Sequence, residues 1–255
     1  MATVSVTELT EYLDNLLNLK AFAGDHSNNG LQVEASAKVK KAVFSVDASL
    51  ELFEEAARRK ADFVLVHHGV SWGSEPKRFD GLVGRRLSVL FRNNISFYAA
   101  HLPLDAHPRL GHNARLADII GLKKRKMFFE YDGNPIGVAG KLSAPQSAKA
   151  LAECFEKALG CKAVIFNPAR KISSVGIVSG GGGSGAVLAV QSEKLDCLVT
   201  GEIGHSSYHY IKETGIPVIG LGHYYSETPG VLAIMEKIKD KFGIDCEFAD
   251  IPTGM

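Results

Sequence analysis

Three times in this chain a short apolar run stops abruptly at histidine: FVLV before His67, FYAA before His101 and VIGLG before His223. Apolar runs of this length, separated by stretches with helical spacing, read as buried strands joined by helices. That alternation implies a mostly parallel sheet. Ligand sites in such sheets lie at the carboxyl ends of the strands, where all three histidine segments fall.

The rest of the chain supports the same class. Ser5 and Glu8 have capping-box spacing ahead of Leu9, Leu13, Leu16 and Leu17, so a first amphipathic helix is expected there. Strands are expected at residues 42–46, 63–66 and 95–100, each followed by a helix, the last ending at Gly121. The segments MFFEYDG and NPIGVAGKL read as an antiparallel hairpin turning at residues 132–135. Near this change of pattern we expect the boundary between two packed α/β lobes, residues 1–125 and 126–255. A helix is expected after Ser143, with Pro145 in its first turn, ending at Gly160. Strands near residues 162–166, 174–178, 196–199 and 217–221 resume the alternation, and 245–248 reads as an edge strand.

Composition narrows the partners. With 29 basic and 28 acidic residues the net charge is +1, so no global field draws the chain to nucleic acid or an anionic membrane. The basic run at residues 123–126 lacks interleaved aromatics and reads as a solvated turn. No leader pattern and no apolar stretch of membrane-spanning length is present, so a cytoplasmic location is expected. Cys154, Cys161, Cys197 and Cys246 form no CxxC pair and read as reduced thiols.

Each histidine segment has a bland reading when taken alone. His67 and His68, being adjacent, would face opposite ways in a regular strand, one in the core and one in solvent. His101 and Asp105 flank Pro103, which argues for a tight turn over a helix. His223 and Glu227 precede Thr228 and Pro229, which look like the N-cap and first position of a helix, and a buried salt bridge between the pair is the plain alternative. Together, four imidazoles and two carboxylates match the donor set of a two-metal site. Thiol-free, nitrogen-rich ligation suits iron, zinc, manganese or nickel better than calcium or magnesium.

The motifs NNGLQV, VHHG, HLPLD with HNARLA, TGE with a following histidine, and GHYYSE resemble the Nif-three-like family of dinuclear-metal proteins, often labelled GTP cyclohydrolase I type 2-like. The resemblance spans nearly the whole chain. It implies that His67, His68, His101, Asp105, His223 and Glu227 ligate two metal ions between the lobes. It also implies the compact form without an inserted middle domain, and a homohexamer. Glu202 and His205 are implied to lie near the metals, as orienting groups or proton carriers.

Other residues carry weaker signals. His209 reads as a helix-surface residue. The SGGGGSG run opens a helix and reads either as a phosphate cradle or as a tight turn needing positive φ, without the ending of a Walker loop. Asp25, His26, Asn29, Gly30 and Trp72 are expected to shape the pocket, and His112 reads as a cap or hydrogen-bond partner before a third ligand set. Three functions follow: a metal-dependent hydrolase acting on a nucleotide or related ring, with a nucleotide or phosphate-bearing small molecule as partner, a metal-handling or cofactor-assembly protein, and a metal-stabilised scaffold. The last is disfavoured because structural zinc usually closes a cysteine-rich knot.

Overall fold

The computed structural model describes residues 2–73, 78–168 and 171–255. After β1 (Val4–Ser5), Ser5 caps α1 (Val6–Leu16) by accepting a hydrogen bond from the Glu8 amide at 3.1 Å. Then follow β2 (Gly30–Val33), β3 (Lys38–Val39), β4 (Lys41–Asp47), α2 (Leu50–Arg58), β5 (Phe63–His68), α3 (Gly81–Arg92), β6 (Ser96–Ala99) and the single turn α4 (Leu102–Asp105). The chain continues through α5 (His112–Ile119), β7 (Lys123–Tyr131), β8 (Asn134–Ser147), α6 (Ala148–Leu159), β9 (Val164–Phe166), β10 (Lys171–Val178), α7 (Gly183–Ser192) and β11 (Cys197–Thr200). It ends with α8 (Tyr208–Thr214), β12 (Val218–Gly220), α9 (His223–Phe242) and β13 (Asp245–Phe248).

Two compact units result. Unit 1 comprises the residues up to Leu104 together with Val231–Ile251; unit 2 comprises Asp105–Gly230 and Pro252–Met255. The division therefore falls before the basic run, not near residue 125. Leu116 and Ala117 of α5 pack with Leu151 and Phe155 of α6, which draws α5 into unit 2; β13 adds to β4 in parallel, with Asp245 opposite Lys41 and Phe248 opposite Phe44, which returns the chain to the first sheet.

In unit 1 the sheet order is β13-β4-β5-β6-β2, parallel throughout except for β2 at one edge. Parallel strands covered on both faces read as continuous apolar runs, which explains FVLV and FYAA. Leu52, Phe53 and Ala56 of α2 join Val64, Val66 and Phe97 in one buried cluster, with the Phe53 and Phe97 rings edge to face at 5.1 Å.

In unit 2 the order is β7-β8-β10-β11-β12-β9. The middle strands β10, β11 and β12 run parallel, and the outer pairings are antiparallel. Leu151 and Phe155 of α6 pack with Val175, Ile177, Val199 and Ile219 of the sheet. The expected hairpin is present: Tyr131 pairs with Asn134 across Asp132 and Gly133, both at positive φ (49° and 74°), the backbone that a two-residue turn requires.

Several local readings change. Residues 123–126 begin an exposed edge strand, where Lys126 pairs with Glu193 and Arg125 with Asp118, so the run is not a turn. Pro145 lies in β8, beside a register irregularity that spares its missing N–H, and helix α6 begins only after Ser147. Gly160 ends α6 at φ 70° as expected. Pro103 sits within the single turn α4, where an absent N–H leaves no bond unmade. Among the described residues, no helix is long and apolar enough to cross a membrane.

Ser147 Oγ accepts from the Ala150 amide at 3.1 Å, which makes it the cap of α6. We expect Ser147→Ala to lower unfolding free energy by about 1 kcal/mol in urea titrations. Ser143→Ala, on an exposed strand position, should change it by less than about 0.5 kcal/mol.

Candidate metal-binding site

β5 delivers two histidines at its end. His67 is fully buried, and its Nδ1 lies 2.8 Å from the carbonyl oxygen of Ala100. A carbonyl only accepts, so the proton is on Nδ1 and the lone pair is on Nε2. The β4–β5 register sets Asp47 opposite His68, and the His68 Nδ1 to Asp47 Oδ1 distance is 2.7 Å. Both rings come to one side despite their adjacency, with centroids 4.5 Å apart.

His101 follows β6 and is held more elaborately. Its Nδ1 bonds Asp25 Oδ1 at 2.9 Å, and its amide donates to Asn29 Oδ1 at 2.7 Å. Asp25 also accepts from the amides of Ser27 and Leu102, each at 3.0 Å, and from Asn29 Nδ2 at 2.8 Å. Burial pushes the Asp25 carboxyl upward, but the His101, Asn29 and Ser27 hydrogen bonds outweigh it and hold the group near 2. One ligand atom from each of His67, His68 and His101 lies within 4.8 Å of the others, so unit 1 offers a three-imidazole group.

The loop after His68 is fixed by the NNGLQV segment. Gln32 Oε1 accepts from the amides of Val70 and Ser71 at 2.9 and 3.2 Å. Its amide also lies so close to Gly69 that a Cβ there would sit 2.6 Å from the Gln32 side chain. Trp72 donates from Nε1 to the Gly69 carbonyl and stands edge to face with His101 at 5.0 Å, forming a wall beside the imidazoles.

Unit 2 contributes a second set. Asp105 is buried, and its Oδ1 accepts from Ser179 Oγ at 3.0 Å. The Ser179 amide in turn donates to Asn113 Oδ1 at 2.7 Å. His112 is fully buried; its Nδ1 accepts from the Gly230 amide at 3.2 Å, which makes it the hydrogen-bond partner that its sequence position suggests.

His223 and Glu227 occupy the first turns of α9, not a loop before it. Helical structure passes Pro229, and Thr228 Oγ1 donates to the Tyr225 carbonyl at 3.0 Å, replacing the N–H that Pro229 lacks. His223 Nε2 is 3.2 Å from Glu227 Oε1, while Nδ1 is 2.9 Å from Glu202 Oε2. Burial lowers the His223 pKa, but the Glu227 and Glu202 carboxylates outweigh it and raise it to about 9. Glu202 thus orients His223. His205 and His209 are exposed, and the His205 side chain makes no hydrogen bond among the described residues.

Within the glycine run, Gly180 forms a tight turn. Gly180 has φ +61°, and a Cβ there would collide with Glu227 Oε1 and approach His223 Nε2 to 3.1 Å. Its amide donates to Ser226 Oγ at 2.9 Å and its carbonyl accepts from the Glu202 amide at 2.9 Å, so its backbone is committed to the protein and leaves no donor for a phosphate. Sequence reasoning missed Asp47 and Ser179. Asp47 had a legible signal, because KAVFSVD is another apolar strand ending in a polar ligand-type residue.

A fold of this kind, with histidine and carboxylate groups at strand ends, defines an α/β protein bearing candidate metal-binding groups. Residues 4–253 match the family described as Duf34/NIF3 (NGG1p interacting factor 3), and the chain belongs to that family. A relative from Archaeoglobus fulgidus, named GTP cyclohydrolase 1 type 2 homolog, is 42% identical over 252 residues, covering 99% of this chain and 100% of its own. One of the same name from Pyrococcus horikoshii is 39% identical, covering 97% and 98%. Among solved structures, the ybgI protein, described as of unknown function, aligns with a TM-score of 0.90 at 34% identity, covering 99% of this chain and 100% of its own. TTHA1606 from Thermus thermophilus aligns at 0.88 and 36% identity, with the same coverage.

The raised His223 pKa sets a pH dependence. Its folded value, about 9, exceeds the ordinary 6.5, so its stabilising pairing is complete below 6.5 and is lost as pH rises through 9. In chelator-treated protein, NMR of the imidazole should show titration near 9, and Glu227→Gln should move it back toward 6.5. An unchanged midpoint in that variant would contradict the assigned cause.

Proposed function

We propose that this chain binds two divalent first-row metal ions through His67, His68, His101, Asp105, His223 and Glu227, and uses them to hydrolyse a nucleotide or related ring compound. The observation that carries this reading is the orientation of the histidines. Each of the four has Nδ1 against an outward acceptor: Ala100 O, Asp47, Asp25 and Glu202 respectively. For His67, His68 and His101 such anchoring fixes the tautomer and presents Nε2 as the ligand atom, the arrangement common to metal-bound histidine; His223 Nε2 faces the Glu227 carboxylate at 3.2 Å and would give up its proton on binding a metal.

The donor set fits the ions. Four imidazole nitrogens and two carboxylates, with no thiol, suit iron or zinc, with manganese or nickel also accommodated. Such ions, when bound, lower the pKa of water toward neutrality and stabilise charge developing on an oxyanion. The chain's own groups supply position and polarity. Asp25 and Asp47 orient the His101 and His68 rings through their hydrogen bonds, and Ser179 fixes the Asp105 carboxylate. Glu202 holds the His223 ring and, being half-exposed, is placed to exchange a proton with solvent. The relatives' shared name, GTP cyclohydrolase 1 type 2 homolog, suggests ring opening of a guanine nucleotide by water as the reaction class.

Elemental analysis of untagged protein, purified without oxygen or chelator, should find about two first-row metals per chain, and a His68→Ala variant should lose most of that content. A metal-free wild type that also rejects added iron and zinc would sink the proposal. Metal-loaded protein that exchanges its ions quickly and turns over no nucleotide would replace the hydrolase with a metal-handling protein.

A further inference from the structure

Unit 2 contains a cleft that the metal ligands do not use. It lies where β11 and β12 end, the side of a parallel sheet on which ligands collect. One compartment of about 280 Å³ is lined by Lys162, Phe166, Glu202 and Ile203, among others. A neighbouring one of about 360 Å³ shares Lys162, Gly222 and Met255 with it. The second lies within the size range of small-molecule sites, about 300 to 1,000 Å³, and the first just below it.

The lining is chemically uneven. Glu202 faces the first compartment while its carboxylate holds His223 Nδ1 at 2.9 Å, so the cleft borders the group that orients a proposed metal ligand. Lys162 is exposed, lies in both compartments, and among the described residues has no ion-pair or hydrogen-bond partner for its ammonium. Phe166 supplies an aromatic surface and is itself braced edge to face by Tyr208 at 5.8 Å. The wall at Gly222 is tightly built: φ is +86°, and a Cβ would approach the Met255 carbonyl to 3.1 Å. An unpaired cation and an aromatic side chain at a strand-end cleft fit a flat ring carrying a phosphate.

We propose that this cleft is the substrate subsite of the chain and that Lys162 recognises the phosphate of a nucleotide whose ring lies toward Phe166 and Glu202. The assignment rests on the nucleotide reading above, and deepens it by naming the residue that selects a phosphorylated over an unphosphorylated ring. Lys162 is then a specificity residue and takes no part in holding metal.

Calorimetric titration with guanosine monophosphate and with guanosine tests this directly, using protein with and without added iron. Wild type should bind the monophosphate about tenfold more tightly or better, the scale of one charge-assisted contact. Lys162→Met should abolish that preference while keeping guanosine affinity and metal content, and Lys162→Arg should restore most of it. A Lys162→Met variant that retains the preference would overturn the proposal, as would a wild type that binds both compounds equally or neither. A Lys162-dependent preference in protein that takes up no metal would leave the subsite standing and the two-metal reading refuted. Full metal content without any preference would do the reverse.

Discussion

The hydrogen bond made by the outer nitrogen of each candidate ligand histidine is the constraint around which the rest is arranged. An imidazole can rotate and can carry its proton on either nitrogen. An acceptor at Nδ1 holds the ring in place, and the chain supplies one four times from different elements. For His67 the acceptor is backbone at the end of β6; for His68 it is Asp47 across a strand register; for His101 it is Asp25 from the loop before β2; for His223 it is Glu202 from the loop after β11. Strand register sets the Asp47–His68 pair directly, and the loops that carry Asp25 and Glu202 are anchored at strand ends.

Close packing of backbone completes the second set. Gly180 brings its main chain against Glu227 and His223 at a distance no side chain permits, and its amide and carbonyl tie Ser226 and Glu202 into the same cluster. At Gly180, the first glycine of its run, the value lies in the absence of a Cβ. Gly69 has the same role after His68, where Gln32 approaches from the side.

The candidate ligand residues could be picked out because each is written next to its strand: an apolar run, then the polar group. Which residue anchors which histidine was not legible. Asp25 lies 76 positions from His101 and Asp47 lies 21 from His68, separations that only sheet register bridges. The same limit explains the misplaced helix starts. Pro145 and Pro229 are strong local punctuation, yet a strand irregularity absorbs the first and the Thr228 hydroxyl compensates the second. The hairpin at Asp132 and Gly133 was readable because its geometry depends on adjacent residues alone.

The pairing of β13 with β4 has a consequence for synthesis of the chain. Until residues 245–248 leave the ribosome, β4 presents an open edge of unpaired amides and carbonyls flanked by the apolar residues Ala42, Val43 and Phe44. Residues 105–230, by contrast, are contiguous and contain all six strands of their own sheet. The nascent protein thus carries a nearly finished second unit while the first still exposes a sticky border, a window in which edge-to-edge association competes with folding.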